Sequence, residues 1–263
     1  MTHRNVVVGV DGSLIAVRAL DLAADEAVRR AAGLHIVYAV PDCDEAPPVL
    51  ASAAARVRAR HPRLPVVTSA VENGAVEALV HESEGAALTV VGTRGLGGVT
   101  GRLAGAVSLR LAARTRVPLL VVRDDRPCDR GSPAARSERE LRGGPPVLLG
   151  LESEADADVA AFAFQEAERR SVPLRVLHAA ARRHTVPRSD VARLRERHPE
   201  IPVDACAVPA SPARALVEAT RDAAVVVIGV HRRPGPLGRH LGPVAHSLLH
   251  RSHCPVLLVP TIS

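Results

Sequence analysis

The 263-residue sequence predicts an α/β protein of two tandem, doubly wound open sheets, each with five mostly parallel strands and helices on both faces, in a Rossmann-like arrangement. Three observations lead to this prediction. Short continuous apolar runs alternate with helical segments, and the whole series occurs twice. Only Tyr38, Phe162 and Phe164 are aromatic, so the cores consist of Val, Leu, Ile and Ala, as is typical of parallel sheets. A charged stretch rich in Pro and Gly separates the two series.

These features divide the chain into two domains and a linker. We predict a first domain over residues 1–123, a linker over 124–145 and a second domain over 146–263. Each domain then has the ~100–200 residues of an ordinary globular unit. The linker assignment depends on the absence of sustained apolar periodicity between Arg123 and Pro146.

The elements follow in the same order in each half. The first half opens with a strand from Asn5 to Val10 and a turn at Asp11, Gly12 and Ser13, where Ser13 is the predicted N-cap of an alanine-rich helix. The other strands of this half are predicted at Leu34–Val40, Pro65–Ala70, Leu88–Gly92 and Val117–Val122. The second half has predicted strands at Val147–Leu151, Leu174–Ala179, Ile201–Ala207, Val225–Gly229 and Val256–Val259. Because such sheets bind ligands at the carboxyl ends of their strands, where the strand order reverses, Asp11 lies at a candidate site.

The basic residues exclude several enzyme classes. All 34 are arginine, so the chain has no lysine for a Schiff base, a Walker phosphate loop or general-base catalysis. The formal net charge of +6 allows an interaction with a polyanion, but the aromatic side chains that stack on single-stranded bases are missing. Nucleic-acid binding therefore stands third among the candidate functions.

Cysteine and histidine spacing predicts no metal site. The cysteines lie far apart, without a C-x-x-C pair, at Cys43, Cys128, Cys206 and Cys254. His246 and His250 are four residues apart on a predicted helix, which is a spacing that can ligate metal. The sequence fixes no further ligand beside them, so we interpret this pair as helix surface.

A glycine-rich loop follows the fourth strand of the first half. It contains Gly92, Gly95, Gly97, Gly98 and Gly105, and Ala106, Val107 and Ser108 follow. A glycine-lined turn between a buried strand and a helix start brings backbone N–H groups to a phosphate. The loop does not match G-x-G-x-x-G, because Thr100 stands at the last glycine, and it does not match the Walker pattern, because lysine is absent.

The same loop recurs 137 residues later in altered form. Gly229 and Gly242 keep the glycine positions, but Arg232, Pro243 and Ala245 replace Gly95, Ala106 and Ser108. Glu152 stands where the first half has Asp11. We therefore expect one working nucleotide site, in the first half, and one degenerate copy.

The pattern G-x2-G-x9-G-S/T, together with the opening Val8-Gly9-Val10-Asp11-Gly12-Ser13, resembles the ATP-binding signature of universal stress proteins. The resemblance extends over both halves, as in tandem members of that family, and it departs from the signature at Ala106, where a hydroxyl residue is expected. It implies that Gly9 and Asp11 lie by the ribose and that Val40 lines the adenine. The phosphates would then contact Gly92, Thr93, Arg94, Gly95, Gly97, Gly98, Gly105, Ala106, Val107 and Ser108.

The resulting hypothesis is a stress-response regulatory protein that binds ATP or a related adenine nucleotide, with or without magnesium, in its first domain. Asp11 is the only carboxylate that can be assigned to the site, so we predict no enzyme beyond slow ATP hydrolysis. The alternative from another class is a tandem scaffold that binds no nucleotide and acts through protein partners.

The expected partners and location follow from the same features. We expect the second domain to pair with the first within the chain, through edge strands ending near Val122 and Val259, and we expect a homodimer and an unidentified regulatory protein as further partners. No apolar run reaches the ~20 residues of a membrane span, and the start has no signal-peptide profile. The expected location is the cytoplasm, away from membranes.

Overall fold

The fold is described from a computed structural model of the chain. The structure describes residues 5–72, 74–93, 106–123, 144–151, 156–179, 188–208, 211–230, 233–235 and 238–261. Most of the predicted linker, residues 124–143, lies outside these ranges. The chain divides into two compact units, residues 1–124 with 234–240 and residues 125–233 with 241–263. No described helix has both the length and the apolar character needed to cross a membrane.

The first unit is a doubly wound parallel sheet. Its strands are β1 (Val6–Val10), β2 (Leu34–Ala39), β3 (Val66–Val71), β4 (Leu88–Gly92) and β5 (Leu119–Val122). Its helices are α1 (Leu14–Arg29), α2 (Pro47–Arg60), α3 (Ala75–Glu82) and α4 (Ala106–Arg114). The strands lie in the order β3-β2-β1-β4-β5, and every pair within this order is parallel. Helix α1 packs against α2, and α3 packs against α4, as right-handed crossovers on opposite faces require.

The second unit repeats this architecture. Its sheet contains β6 (Val147–Leu151), β7 (Leu174–Ala179), β8 (Val203–Val208), β9 (Val225–Val230) and β12 (Val256–Pro260), in the order β12-β9-β6-β7-β8. Its helices are α5 (Ala157–Arg170), α6 (Arg188–Arg197), α7 (Pro212–Ala219) and α8 (Pro243–Arg251). Along the chain between β9 and α8, the short strands β10 (Arg233–Gly235) and β11 (Gly238–His240) pair with each other, and residues 234–240 group with the first unit.

The predicted fold class and all ten predicted sheet strands are confirmed. Two strands start two residues later than predicted because a proline precedes each one. Strand β5 begins at Leu119, after Pro118, and β8 begins at Val203, after Pro202, since proline has no N–H to donate to a ladder. The β10–β11 pair was not predicted, because its polar, Pro- and Gly-containing segment has no apolar alternation.

Aliphatic side chains and alanine fill the core of the first unit. Helix α1 places Ala19, Ala23 and Ala27 against the sheet, each with no exposed surface. The helix begins as predicted, since the Ser13 side chain accepts a hydrogen bond from the Ala16 N–H at 3.2 Å. It ends at a left-handed residue, Ala31, with a φ of 48°. The alanine face lets α1 approach the strands closely.

A buried carboxylate repeats at the same place in both units. In α1, Glu26 has no exposed surface and pairs with Arg29 at 2.9 Å and with Arg30. In α5, the fully buried Glu166 pairs with Arg169, also at 2.9 Å. A buried charge needs such partners, because an isolated carboxylate in a low-dielectric interior is costly.

The burial of Glu26 predicts that removing its side chain destabilises the protein more than removing that of Glu77, an exposed glutamate that also contacts two arginines. Glu26→Ala leaves the Arg30 side chain, which is only 5% exposed, without its carboxylate, and should lower the free energy of unfolding by about 3–5 kcal/mol. The matched control is Glu77→Ala, whose 46% exposed side chain contacts Arg110 and Arg114; this variant should lose about 1 kcal/mol or less. Urea denaturation followed by circular dichroism measures both losses. Equal losses would contradict the structural role of the buried pair.

Candidate functional site

The strand order places the candidate site at the centre of the first sheet. Strand β1 pairs with β2 on one side and with β4 on the other, since Val8 lies beside both Ile36 and Val90. The chain runs from β1 through β2 to β3 in one direction, and β4 and β5 lie in the other. The order therefore reverses between β1 and β4, as predicted, and a crevice for ligands is expected at their carboxyl ends.

Asp11 and its neighbours form the turn between β1 and α1. The Asp11 carboxylate accepts a hydrogen bond from the Ser13 N–H, with 2.9 Å between Oδ1 and N. Gly12 has a φ of +77°, which residues with a side chain rarely adopt. Asp11 thus holds the turn in shape and also places a carboxylate at the carboxyl edge of the sheet.

Gly9 and Gly92 allow helices to pack closely on the strands. A methyl group added at Gly92 would lie 3.0 Å from Cγ1 of Ile15 and 3.4 Å from its backbone carbonyl carbon. A methyl group at Gly9 would lie 3.0 Å from Cδ1 of Leu79, on the opposite face of the sheet. Both glycines therefore permit close helix packing, whether or not a ligand binds.

Three further predicted residues lie at the same edge of the sheet or close to it. Val40 follows β2, is 3% exposed and donates its N–H to the Val71 carbonyl at 3.2 Å. Thr93 follows β4, is 7% exposed and donates its N–H to the Val122 carbonyl at 2.8 Å. The first turn of α4 includes Ser108, which has no exposed surface.

The other predicted contacts lie outside the described residues. They are Arg94, Gly95, Gly97, Gly98 and Gly105. Of the helix start that follows them, the structure describes Ala106 and Val107 as the first two residues of α4. The described part of the site therefore consists of the ends of β1, β2 and β4, the Asp11 turn and the N-terminal turn of α4.

A cavity of about 310 Å³ lies beside the Asp11 turn, between α1 and α2. Gly12 and Ser13 line it from the turn, and Pro48, Ser52 and Arg56 line it from α2. The residues of α2 that line this cavity carry no recognisable sequence motif and were not predicted. A larger cavity, of about 690 Å³, lies at the opposite, amino ends of the strands and contains none of the predicted site residues.

An ion pair fixes Arg56 at the wall of the smaller cavity. Its guanidinium forms two hydrogen bonds of 2.7 Å to the Asp21 carboxylate on α1. The side-chain hydrogen bond from Arg56 is the main reason that the pKa of Asp21 lies below its usual value. Arg60 adds a second contact to Asp21 at 2.8 Å. These pairs hold α1 and α2 together along one side of the cavity.

The second unit keeps the packing glycines of the first. A methyl group at Gly150 would lie 2.9 Å from Cδ1 of Leu216, and one at Gly229 would lie 3.0 Å from Cγ2 of Val159. Gly242 instead has open space around it and is the N-cap of α8. Residues 152 and 232, at two of the substituted positions, lie outside the described residues.

The start of α8 differs from that of α4 at two positions. Pro243 is the first residue of α8, and proline has no backbone N–H to offer an anion. Ala245, which replaces Ser108, is 4% exposed and has no hydroxyl. Both differences lie in described residues, and each removes a hydrogen-bond donor that an anion could use. The degeneration of the second loop itself stays a prediction.

Two groups of residues that could ligate a metal occur among the described residues. The rings of His246 and His250 contact each other along α8 at a centroid distance of 4.3 Å and are tilted by 42°. The ligand atoms of Glu168, His198 and Glu200 lie within 4.8 Å of one another. Both glutamates are exposed, and the His198 Nδ1 lies 3.8 Å from the Glu168 carboxylate and 3.6 Å from that of Glu200, so we interpret this group as an ordinary surface cluster.

The comparisons with known proteins agree with the repeated architecture. A model of the universal stress protein family matches residues 2–123 and 179–260. The universal stress protein Rv2005c of Mycobacterium tuberculosis is 31% identical, over 97% of this chain and 97% of its own length. Rv1996, another universal stress protein of that organism, is 28% identical over 98% of this chain and 95% of its own length. The crystal structure of a universal stress protein from Archaeoglobus fulgidus has the same fold, with a TM-score of 0.70, 16% identity and 99% of each chain covered.

The packing role of the strand-end glycines can be tested without any ligand. Gly92→Ala and Gly229→Ala should each lower the free energy of unfolding by about 1–3 kcal/mol, because the added methyl group meets Ile15 or Val159. Gly242→Ala is the control, since nothing lies within 4 Å, and it should lose less than about 1 kcal/mol. The measurement is chemical denaturation of nucleotide-free protein. An unchanged stability of Gly92→Ala would show that packing does not require this glycine.

Proposed function

The chain belongs to the universal stress protein family, and from this premise we propose that its first half binds one adenine nucleotide, ATP or a relative of it, at the carboxyl ends of β1, β2 and β4. In this proposal, the association of the protein with a partner depends on whether the nucleotide is bound. The second half pairs with the first half as a structural domain and binds no nucleotide. Where the nucleotide binds as its magnesium complex, the magnesium ion lies with the phosphates.

The arrangement around the reversal of strand order is the observation that carries this proposal. The Asp11 turn follows β1, and β4 runs parallel to β1 and ends at Gly92, so both strands end at the same edge of the sheet. The N-terminus of a helix favours an anion, because its first backbone N–H groups have no partner within the helix and its dipole is positive there. A phosphate at α4 with a ribose near Asp11 fits this geometry.

The absence of a hydroxyl at Ala106 lowers the affinity for the nucleotide but does not remove the site. A hydrogen bond to a charged group contributes about 1.5–3 kcal/mol, so its absence weakens binding by about 10–100-fold. The backbone N–H groups at the start of α4 do not depend on the side chain at position 106. Ser108 is buried, so we assign the phosphate contacts first to these backbone groups.

The second half is the proposed degenerate copy. Arg232 stands at the position of Gly95 and carries a side chain where the backbone would have to approach a phosphate. Pro243 removes one N–H at the start of α8. Glu152, one methylene longer than Asp11, crowds the corresponding ribose position. The charges of Arg232 and Arg233 attract phosphate only weakly and in a salt-dependent way.

We propose that the bound nucleotide is not turned over rapidly. The chain has no lysine, and the Asp11 carboxylate already accepts a hydrogen bond from the Ser13 N–H. Rapid phosphoryl transfer depends on positioned cations and on a group that orients the nucleophile, and one engaged carboxylate supplies neither. Hydrolysis, where it occurs, should stay below the ~1 s⁻¹ lower end of typical enzyme turnover.

The second candidate function is a tandem scaffold that binds no nucleotide. The observation in its favour is the packing of Gly9 against Leu79 and of Gly92 against Ile15, which explains these glycines without a ligand. Gly95, Gly97 and Gly98 lie outside the described residues and are assigned to the phosphates only in the nucleotide-binding proposal. Substitutions at these loop glycines therefore distinguish the two candidates.

Titration calorimetry with ATP tests the proposal on the full-length protein. The wild type should bind one nucleotide per chain, and Ala106→Ser should bind about 10–100-fold more tightly because it restores the hydroxyl. Gly95→Glu should abolish binding by placing bulk and negative charge at the phosphates. Arg232→Glu is the matched control, since it places the same side chain at the corresponding position of the second half, and it should bind like the wild type.

Two results of this titration would refute the proposal. The first is an absence of binding heat for both the wild type and Ala106→Ser, which would favour the scaffold. The second is a loss of binding in Arg232→Glu with retention in Gly95→Glu, which would place the nucleotide in the second half.

A further inference from the structure

A hydroxyl, an imidazole and a carboxylate lie next to one another away from the proposed nucleotide crevice, on the face of the first sheet that carries α3. The Ser69 Oγ is 2.8 Å from the His35 Nε2. On the other side of the imidazole, the His35 Nδ1 is 3.7 Å from the Glu82 Oε2. A hydroxyl beside an imidazole that faces a carboxylate is the arrangement of a serine nucleophile, a general base and the group that orients the base.

The fold brings these residues together from three separate segments. His35 lies on β2, Ser69 on β3 and Glu82 at the end of α3. In the parallel register, Val67 pairs with His35, so Ser69 is two residues further along the same face of β3. Helix α3 packs on this face and brings its last residue, Glu82, to the imidazole.

The site is open to small molecules. The His35 side chain is 13% exposed, that of Glu82 is 26% exposed, and Ser69 is partly exposed. Val67, next to His35 on the same face, is 57% exposed and offers an apolar surface to a small acyl group. A shallow, partly apolar surface of this kind suits a short acyl chain better than a long one.

The edge of the sheet supplies hydrogen-bond donors beside Ser69. Strand β3 is the outermost strand of the first unit's sheet and pairs with β2. The Leu34 N–H donates to the Pro65 carbonyl, and the Val40 N–H donates to the Val71 carbonyl, so the odd-numbered residues of β3 bond towards β2. The even-numbered residues then direct their N–H groups outwards, as in any edge strand. The Ala70 N–H, directly after Ser69, is one such donor for a developing oxyanion.

We propose that Ser69, His35 and Glu82 form a second functional site, a serine hydrolase triad that transfers short acyl groups from activated esters to water. The Ser69 Oγ attacks the ester carbonyl and its proton passes to the His35 Nε2; the ester C–O bond breaks, and the leaving alcohol or phenol takes that proton. Water then attacks the acyl-serine, with His35 again as the base, and releases the acid and the free Ser69 hydroxyl. Glu82 remains a carboxylate and stabilises the imidazolium.

The second unit provides a natural comparison. By strand register, Arg175 and Cys206 occupy the positions of His35 and Ser69, and the last residue of α7, Ala219, corresponds to Glu82. Arg175 pairs with Asp204 at 3.3 Å, and burial together with the nearby Asp204 charge raises the pKa of the Cys206 thiol. This site has no imidazole, so a nucleophile at position 206 lacks a base.

Labelling of the full-length protein with a fluorophosphonate probe, mapped by peptide mass spectrometry, tests the proposal. The wild type should be labelled at Ser69 and should hydrolyse p-nitrophenyl acetate. His35→Gln should slow both reactions by about 100-fold or more, because a positioned general base contributes about 10²–10⁴-fold. Glu82→Gln should slow them by a smaller factor, about tenfold, since the base remains but loses its orienting charge. Ser69→Ala should lose the label.

Two controls separate the triad from unspecific reactivity. Cys206→Ser places a hydroxyl at the corresponding strand position without a base and should gain no label there. Thr68→Ala removes the exposed hydroxyl next to Ser69 on the opposite face of β3 and should leave the labelling rate unchanged. The label position in the wild type decides the question even where a variant fails to fold. No label at Ser69, or labelling of His35→Gln at the wild-type rate, would overturn the proposal.

Discussion

The close approach of helices to the central strands is the constraint on which the rest of the structure depends. With only three aromatic residues in the chain, the core cannot be filled by large side chains, so alanine-lined helices must lie close to the sheet. At the two strands that border each reversal of strand order, an added Cβ would lie only 2.9–3.0 Å from a helix side chain. Gly9 and Gly92 meet this requirement in the first unit, and Gly150 and Gly229 meet it in the second.

This constraint separates two kinds of glycine that the sequence alone presents as one pattern. Gly229 persists in the second half because Val159 packs against it, so its presence there does not indicate a nucleotide site. The substituted positions are others: Arg232 replaces Gly95, and Pro243 replaces Ala106. The difference between the halves thus lies in the loop and at the helix start, and not at the strand-end glycines. The fold of the second unit accordingly survives the substitutions.

Continuous apolar runs made the strands predictable, because a strand buried on both faces has few other compositions available. The Asp11 turn was predictable because Asp, Gly and Ser each favour it by a known local mechanism. The packing partners of the glycines were not predictable, since Leu79 and Ile15 reach them only through tertiary structure. The contact of Ser69 with His35 was equally hidden, because 34 residues separate them and only the register of β2 and β3 joins them.

The central claim is that one half of a symmetric fold binds an adenine nucleotide and the other half does not. A crystal structure of the full-length protein grown with saturating ATP tests this claim most directly. The account predicts density for one nucleotide per chain, beside Asp11 and the N-terminus of α4, and none at the corresponding ends of β6 and β9. Density at the second half, at both halves or at neither would contradict the account.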